Sequence, residues 1–331
     1  MLKTPQFWLQ KRSLISLMLL PLSYFYKIGF SLKKNFVKTQ KVDLPIICIG
    51  NIIAGGAGKT PVALALGQFF KKNNIEFCYL TRGYKAKNNK VLMIDEASKI
   101  NALEAGDEAI LLAEIAPTCV AKNRYFGYQK IRENKKYRAI IMDDGLQNFQ
   151  LEYAIKILVI DSKIAFGNNH LIPSGPMRQS LAEVAKNIDL FVIIGQKNIS
   201  IEKEIFEQNK NAKILSAQIF ASNLDKFINK NIVAFCGIAY PQKFFDFIQK
   251  NGLHLIETKI FADHYQYKNE DLEKLYQNAK TKGFQLITTK KDWVKFPKNF
   301  QEKIDYLDIK LDFENKIFFK NLLNKINVSK L

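Results

Sequence analysis

The chain has 331 residues, 47% of them hydrophobic and 24% charged, which supplies apolar material for one large or two modest cores and argues against wholesale disorder. Its 50 Lys and Arg outweigh 31 Asp and Glu, giving a net charge of +19; this predicts a polyanionic partner (nucleic acid, anionic lipid or a phosphorylated substrate) or simply a basic surface without one. The cysteines Cys48, Cys78, Cys119 and Cys236 form no C-x-x-C pair and mostly fall in or beside apolar runs, so they read as buried free thiols, and their spacing argues against zinc.

The first 42 residues carry eight basic side chains and no acidic one. Within them Ser13 to Tyr26 are uncharged and rich in Leu, Ile, Met and Phe. A helix over this stretch spans ~21 Å, short of a ~30 Å hydrocarbon core, and Pro21 would kink it. No alanine precedes Ala54, so the small-residue cleavage pattern of a signal peptide is missing. Residues 1–42 therefore predict a peripheral or monotopic helix in an anionic membrane surface, with Phe7, Trp8, Tyr24, Phe25 and Tyr26 near the headgroups. Lys33, Lys34, Lys38 and Lys41 suit a cytoplasmic leaflet. A helix packed on the protein body, or a single span, would use the same residues.

Residues 50–61, Gly-Asn-Ile-Ile-Ala-Gly-Gly-Ala-Gly-Lys-Thr-Pro, join the apolar strand Pro45–Ile49 to a helix read over 62–73. Gly55, Gly56, Ala57, Gly58, Lys59, Thr60 and Pro61 form the predicted cradle. Its glycines let backbone N–H groups turn onto a polyphosphate at the positive end of the helix. Lys59 would reach the β/γ-phosphates and Thr60 would take a Mg²⁺ position. The strict pattern requires glycine where Ile53 stands, so this is a G-G-x-G-K-T variant, and it lacks the lysine that some such loops carry at the Ala54 position. A bound nucleoside triphosphate is the expectation.

Beyond the loop, strands are predicted at Phe77–Leu80, Thr118–Ala121, Ala139–Met142, Ile155–Ile160 and Leu190–Ile194, with helices at Glu108–Ala116 and Tyr125–Glu133. The continuous apolar runs suit strands buried on both faces, and the alternation gives a mostly parallel sheet with helices on both sides. Such sheets bind ligands beyond their carboxyl edge. The polar stretch Asn198–Lys213 marks a predicted boundary between a nucleotide-binding domain, 43–213, and a smaller α/β domain, 214–331, that closes over the site. In the latter, strands are expected at Val233–Cys236, Leu253–Ile260 and Gln285–Thr288, and helices at Pro241–Lys250 and Glu270–Lys282.

Several segments can carry chemistry. Ile140–Met142 runs into Asp143-Asp144-Gly145, and a carboxylate ending such a strand holds Mg²⁺ opposite the loop; if the strand continues, only one of the two faces the metal. Asp107 and Glu108 open a helix, where they complement its dipole or, at the ligand edge, accept a hydroxyl proton. Asp263 could orient the neighbouring His264, which reads equally as a surface-loop histidine. In the rigid Pro173–Arg178 turn, Arg178 suits phosphate recognition. Thr288–Trp293 is uninformative alone. No basic face interleaved with stacking aromatics is evident, so nucleic acid is not expected, and no obligate protein partner is indicated.

In this order, Gly50–Pro61, Arg82-Gly83-Tyr84, Gly106–Ala109, Asp143–Gln147, Pro173–Arg178, Phe235–Phe245, Asp263-His264 and Thr288–Trp293 resemble the tetraacyldisaccharide 4'-kinases (lipid A 4'-kinases) of Gram-negative bacteria. The resemblance implies a P-loop fold and transfer of phosphate from ATP, with Mg²⁺, to the 4'-hydroxyl of a tetraacyl disaccharide 1-phosphate. It also implies a setting on the cytoplasmic face of the inner membrane. By the same resemblance Asp107 is the base, working with His264; Lys59 neutralises the transferring group; and Thr60, Glu108 and Asp143 are metal ligands, with Asp144 beside them. Asn51, Arg82, Tyr84, Arg124, Gln147, Ser174 and Arg178 are the substrate-facing set it implies, with Arg124 and Arg178 on the substrate phosphate. The chain departs from the family pattern at Asn148 (usually His), Gln179-Ser180 (usually Glu-Pro) and Ala262 (usually Pro). The rival reading is a membrane-associated NTPase switch of the G-G-x-G-K-T type.

Overall fold

Runs of Ile, Val and Leu long enough to be buried on both faces build a central sheet, and amphipathic helices cover it. The computed structural model describes residues 5–95, 98, 100–315 and 317–326; the first four residues of the predicted N-terminal segment and the last five of the chain lie outside them. Strands β1 (Ile46–Gly50), β2 (Phe77–Thr81), β3 (Leu92–Ile94), β4 (Thr118–Val120), β5 (Ala139–Asp143), β6 (Ile155–Asp161), β7 (Leu190–Ile194) and β8 (Ile214–Ala221) come first. They are followed by β9 (Asn231–Cys236), β10 (His254–Ile260), β11 (Gln285–Thr289), β12 (Asp305–Leu307) and β13 (Ile309–Phe313).

Nine of these form one sheet in the order β13-β8-β7-β6-β1-β5-β2-β4-β3, in which β3 and β13 run antiparallel to their neighbours and the remaining pairs are parallel. The most apolar segment, β1, lies between β5 and β6 with all five residues buried. Crossovers leave in opposite directions there, so the carboxyl ends of β1, β5 and β6 frame a crevice.

The remaining strands form a small all-parallel sheet, β10-β9-β11-β12, with the helices Pro241–Lys250 and Asn269–Thr281 over it. The expected boundary at 213/214 is displaced. Ile214–Ala221 pairs with β7, and Ile309–Phe313 returns to pair with β8, so the smaller unit is inserted between two strands of the larger sheet. The polar stretch that suggested a linker is instead a crossover helix, Ile199–Gln208, which buries only Ile201 and Ile205. Its composition records one solvated face, not a domain junction. Phe313 and Phe319 complete the core beneath the central sheet.

The N-terminal helix α1 (Leu14–Phe36) has 23 residues, continuing past Pro21 and through Lys27. It is longer than the uncharged stretch predicts, about 34 Å, and by length and composition alone could cross a membrane. It nevertheless packs along the protein through one stripe, Ser16, Leu19, Ser23, Tyr26 and Phe30, while Leu14, Leu17, Met18, Leu22, Phe25 and Leu32 stay exposed.

Candidate active site

The glycine-rich loop leaves β1 and ends where α2 (Lys59–Lys72) begins, three residues earlier than the hydrophobic pattern predicts. Gly55 and Gly58 have φ of +109° and +85°. A Cβ on Gly58 would come within 2.5 Å of Ile194, and one on Gly55 within 2.9 Å of the Tyr240 hydroxyl. Glycine is thus required by backbone shape and by space. Ala57, by contrast, faces the core and is buried. The loop is held from behind by Ala54 N–H donating to Pro176 O (2.7 Å) and from inside by Asn51, whose Nδ2 donates to Gly55 O (3.3 Å).

Lys59 and Thr60 open α2 pointing at the end of β5. Thr60 Oγ1 donates to Asp143 Oδ2 (3.0 Å); Lys59 Nζ donates to Asn51 Oδ1 (3.2 Å) and pairs with Asp144 Oδ1 (3.4 Å). The strand stops at Asp143, and Asp144 turns into the left-handed region (φ +55°), so both carboxylates face the loop. That corrects the alternating-face expectation. Burial, then the Glu108 and Asp144 charges, push the Asp143 carboxyl well above its usual range. Burial acts the same way on Asp144, but Lys59 and Arg178 outweigh it and hold that carboxyl low.

The buried Oδ1 of Asp143 has no hydrogen-bond partner. A wholly buried carboxylate with a free oxygen, a hydroxyl on its other oxygen and Glu108 nearby suits one divalent cation. Among the described residues no three His, Cys, Asp or Glu side chains cluster as a self-sufficient metal cage.

The helix α4 (Asp107–Ala113), which follows the short α3 (Ala102–Ala105), carries Asp107 and Glu108 to the same crevice. Asp107 is 4% exposed and its Oδ2 lies 2.8 Å from His264 Nδ1, a contact made across 157 residues of chain. Burial would raise the Asp107 carboxyl, but the His264 hydrogen bond and the Lys291 charge hold it at about 2. His264 itself sits at φ +58°, a conformation uncommon for a non-glycine residue and often found at functional sites. Its Nε2 lies 3.5 Å from Lys291 Nζ and 3.8 Å from Asp263 Oδ1. Tyr84 covers the imidazole with ring centroids 5.1 Å apart.

Other predicted residues divide. Gln147 bridges the loop and the turn: its Nε2 donates to Asn51 O (2.8 Å) and its Oε1 accepts from Arg178 (3.2 Å). Arg178 also lies 3.6 Å from Asp144, and Arg82 is exposed. Ser174 is not substrate-facing: it is wholly buried against α1, bonded to Ser16 and Ser23. Arg124 is 3% exposed, with its guanidinium donating to Ala121 O (2.6 Å), so it stands beside the site as a buried charge and not as an open phosphate clamp.

Two residues were missed. Lys291 reaches Glu108 (3.1 Å) and approaches Asp107 (4.0 Å); Glu108 and Asp107 keep it protonated although burial opposes its charge. It sits in a segment that carried no role, and a K-K-D run directly after a strand was the available signal. Tyr240 packs against Gly55 from the smaller unit, and nothing local in the sequence announces it.

A doubly wound parallel sheet, a Gly-Lys-Thr loop at its switch point and a carboxylate–histidine pair facing that loop define a P-loop phosphotransferase. The chain belongs to the tetraacyldisaccharide-1-P 4'-kinase family (LpxK), whose model matches residues 15–327. It is similar to the tetraacyldisaccharide 4'-kinase of Rickettsia bellii, 37% identical over 323 residues and covering 97% of this chain and 98% of the relative. The Bartonella henselae enzyme of the same name is 33% identical over 332 residues, covering 99% of this chain and 97% of its own. In structure the chain is similar to the crystal form described as "apo" LpxK from Aquifex aeolicus in complex with ATP, with a TM-score of 0.77, 26% identity and coverage of 95% and 99%.

Proposed function

We infer that this protein transfers the γ-phosphoryl group of ATP to the 4'-hydroxyl of tetraacyldisaccharide 1-phosphate, giving the bisphosphorylated lipid A precursor of lipopolysaccharide biosynthesis. The observation that carries this reading is that Glu108, next to Asp107 and paired with Lys291, lies close enough to Asp143 for its charge to raise that carboxyl, which links the Thr60–Asp143 group to the Asp107–His264 pair. Family membership weighs against the switch reading, which needs no such pair.

The loop amides of Gly55–Thr60 and the α2 N-terminus hold the triphosphate, and Lys59 follows the charge of the moving group. Thr60 and Asp143 would hold Mg²⁺, with Glu108 adjacent; the ion supplies charge neutralisation on the phosphates. Asp107 receives the hydroxyl proton. A carboxylate held near 2 is a weak base, which suits a loose transfer in which that proton leaves late. His264 fixes Asp107 through Nδ1–H, and Lys291 fixes His264. Arg178 and Gln147 face the sugar phosphate, with Arg82 and Tyr84 at the mouth. The smaller unit brings His264 and Lys291 and thereby closes the site. The apolar outer face of α1 and the basic residues after it support a seat for the enzyme on the cytoplasmic surface of the inner membrane.

Incubation with γ-labelled ATP and the disaccharide monophosphate tests this. Label appearing in the lipid supports it; label released only as free phosphate overturns it.

A further inference from the structure

The helix α1 is amphipathic in the reverse sense: its exposed side is apolar, and the side against the protein carries Ser16, Ser23 and Tyr26. Those hydroxyls all meet one segment. Ser16 Oγ donates to Ser174 O (2.7 Å), Ser174 Oγ donates to Ser16 O (2.6 Å), and Ser23 Oγ donates to Leu171 O (2.8 Å) while accepting from Ser174 N–H (3.1 Å). Asn168 Nδ2 completes the group by donating to Ser16 Oγ (2.9 Å) and Ser174 O (3.0 Å). Ser16, Ser23, Asn168 and Ser174 are all buried, so each bond has no water to replace it.

The far side of the same turn touches the site. Pro176 O accepts from Ala54 N–H of the glycine-rich loop, and Arg178 N–H donates to Ile52 O (2.6 Å). Tyr26 Oη donates to Arg178 O (3.3 Å), and the Arg178 guanidinium reaches Gln147 and Asp144. A mere anchor needs only its lipid-facing side. Here the polar side of the helix grips the backbone that aims Arg178.

We propose that Ser16, Ser23 and Tyr26 of α1 are positioning residues that hold the 168–178 turn so that Arg178 meets the acceptor's phosphate, making the membrane helix part of the acceptor site. The inference rests on the kinase reading above. Misplacing a binding group by about 1 Å can cost as much as a hundredfold, and the loss here falls on acceptor capture.

The test is a double-mutant cycle in detergent micelles, where anchoring to a bilayer is not needed, using the full-length chain. Ser16→Ala with Ser23→Ala should raise the acceptor KM about tenfold or more, well beyond any rise in the ATP KM through the turn's bonds to the glycine-rich loop, with vesicle sedimentation within about twofold of wild type. In an Arg178→Ala background the same pair should add less than about twofold, because the grip acts through that arginine. Tyr26→Phe and Ser174→Ala, each removing one hydroxyl, should show the same pattern more weakly and serve if the double variant does not fold. An unchanged acceptor KM, or losses that multiply in the Arg178→Ala background, overturns the proposal. Failure of wild type to phosphorylate the acceptor would sink the kinase reading itself, so the two failures are distinct.

Discussion

Asp107 is a buried charge whose side-chain partners come from the smaller unit, His264 at 2.8 Å and Lys291 at 4.0 Å, while the Glu108 N–H donates to its Oδ1 (3.0 Å). Removing a carboxylate that receives the proton should cost 10²–10⁴-fold in kcat, to order of magnitude. Asp107→Ala and Lys59→Ala are therefore expected to abolish turnover while leaving the circular-dichroism spectrum unchanged; near-normal rates in either would remove that residue from the mechanism. The depressed Asp107 carboxyl also makes a stability statement. Its folded value of about 2 lies below the ordinary ~3.9 of an unfolded chain, so its contribution is present above pH ~4 and fades as pH falls toward 2. The magnitude is about 2 kcal/mol. Asp107→Asn should accordingly lower the melting temperature at pH 6 and converge on wild type as pH falls to about 2. An equal gap at pH 6 and at pH ~2 would contradict the assigned charge state.

At the scale of elements, glycine geometry gives a sharp test. Gly58 caps α2 at φ +85° with Ile194 beside the missing Cβ. Gly58→Ala should cost about 1–3 kcal/mol in stability from backbone strain and crowding and weaken ATP binding, both readable by melting with and without nucleotide; an unchanged melting temperature would refute the strain argument. The strands were legible because β1, β5, β6 and β7 are apolar on both faces, and only a parallel sheet covered by helices uses such runs. The loop was legible because its chemistry is contiguous. What stayed hidden was non-local. Lys291 meets Glu108 across 183 residues, and no window of sequence contains both. Ser174 misled because a serine in a rigid turn reads alike whether it serves a substrate or a neighbouring helix. The boundary at 213/214 misled because an exposed crossover helix has the composition of a linker. The uncharged stretch misled on length: Lys27 lies on the exposed side of the helix and does not end it, and the helix continues past Pro21.

At the scale of the whole molecule, the two units meet through opposite charges. Lys243 pairs with Asp161 (2.5 Å), Lys163 with Asp246 (2.8 Å), Lys290 with Glu114 (2.6 Å) and Lys291 with Glu108 (3.1 Å), each joining a residue of the smaller unit to one of the larger. The covalent connections lie side by side at a single place, where Ser222 and Asn223 bond to Asp308 and Tyr306. Such a pair of adjacent crossings is a natural hinge, and His264 reaches Asp107 from the far side of it. Half-exposed pairs each contribute only about 0–1 kcal/mol and are screened by salt, so no single one should be decisive. Lys243→Ala combined with Lys290→Ala, which leaves the loop and Asp107 untouched, should lower kcat about three- to tenfold if each lost pair shifts closure by roughly half a kcal/mol. ATP affinity measured on the open form should change little, because the loop belongs wholly to the larger unit. Wild-type kcat should also fall as salt rises from ~0.1 M toward ~0.5 M, and the double variant should be less salt-sensitive because two screened contacts are already gone. A variant with unaltered kcat and the wild-type salt slope would show that closure does not depend on these charges, leaving the packing of Tyr240 against Gly55 as a contact that brings the units together.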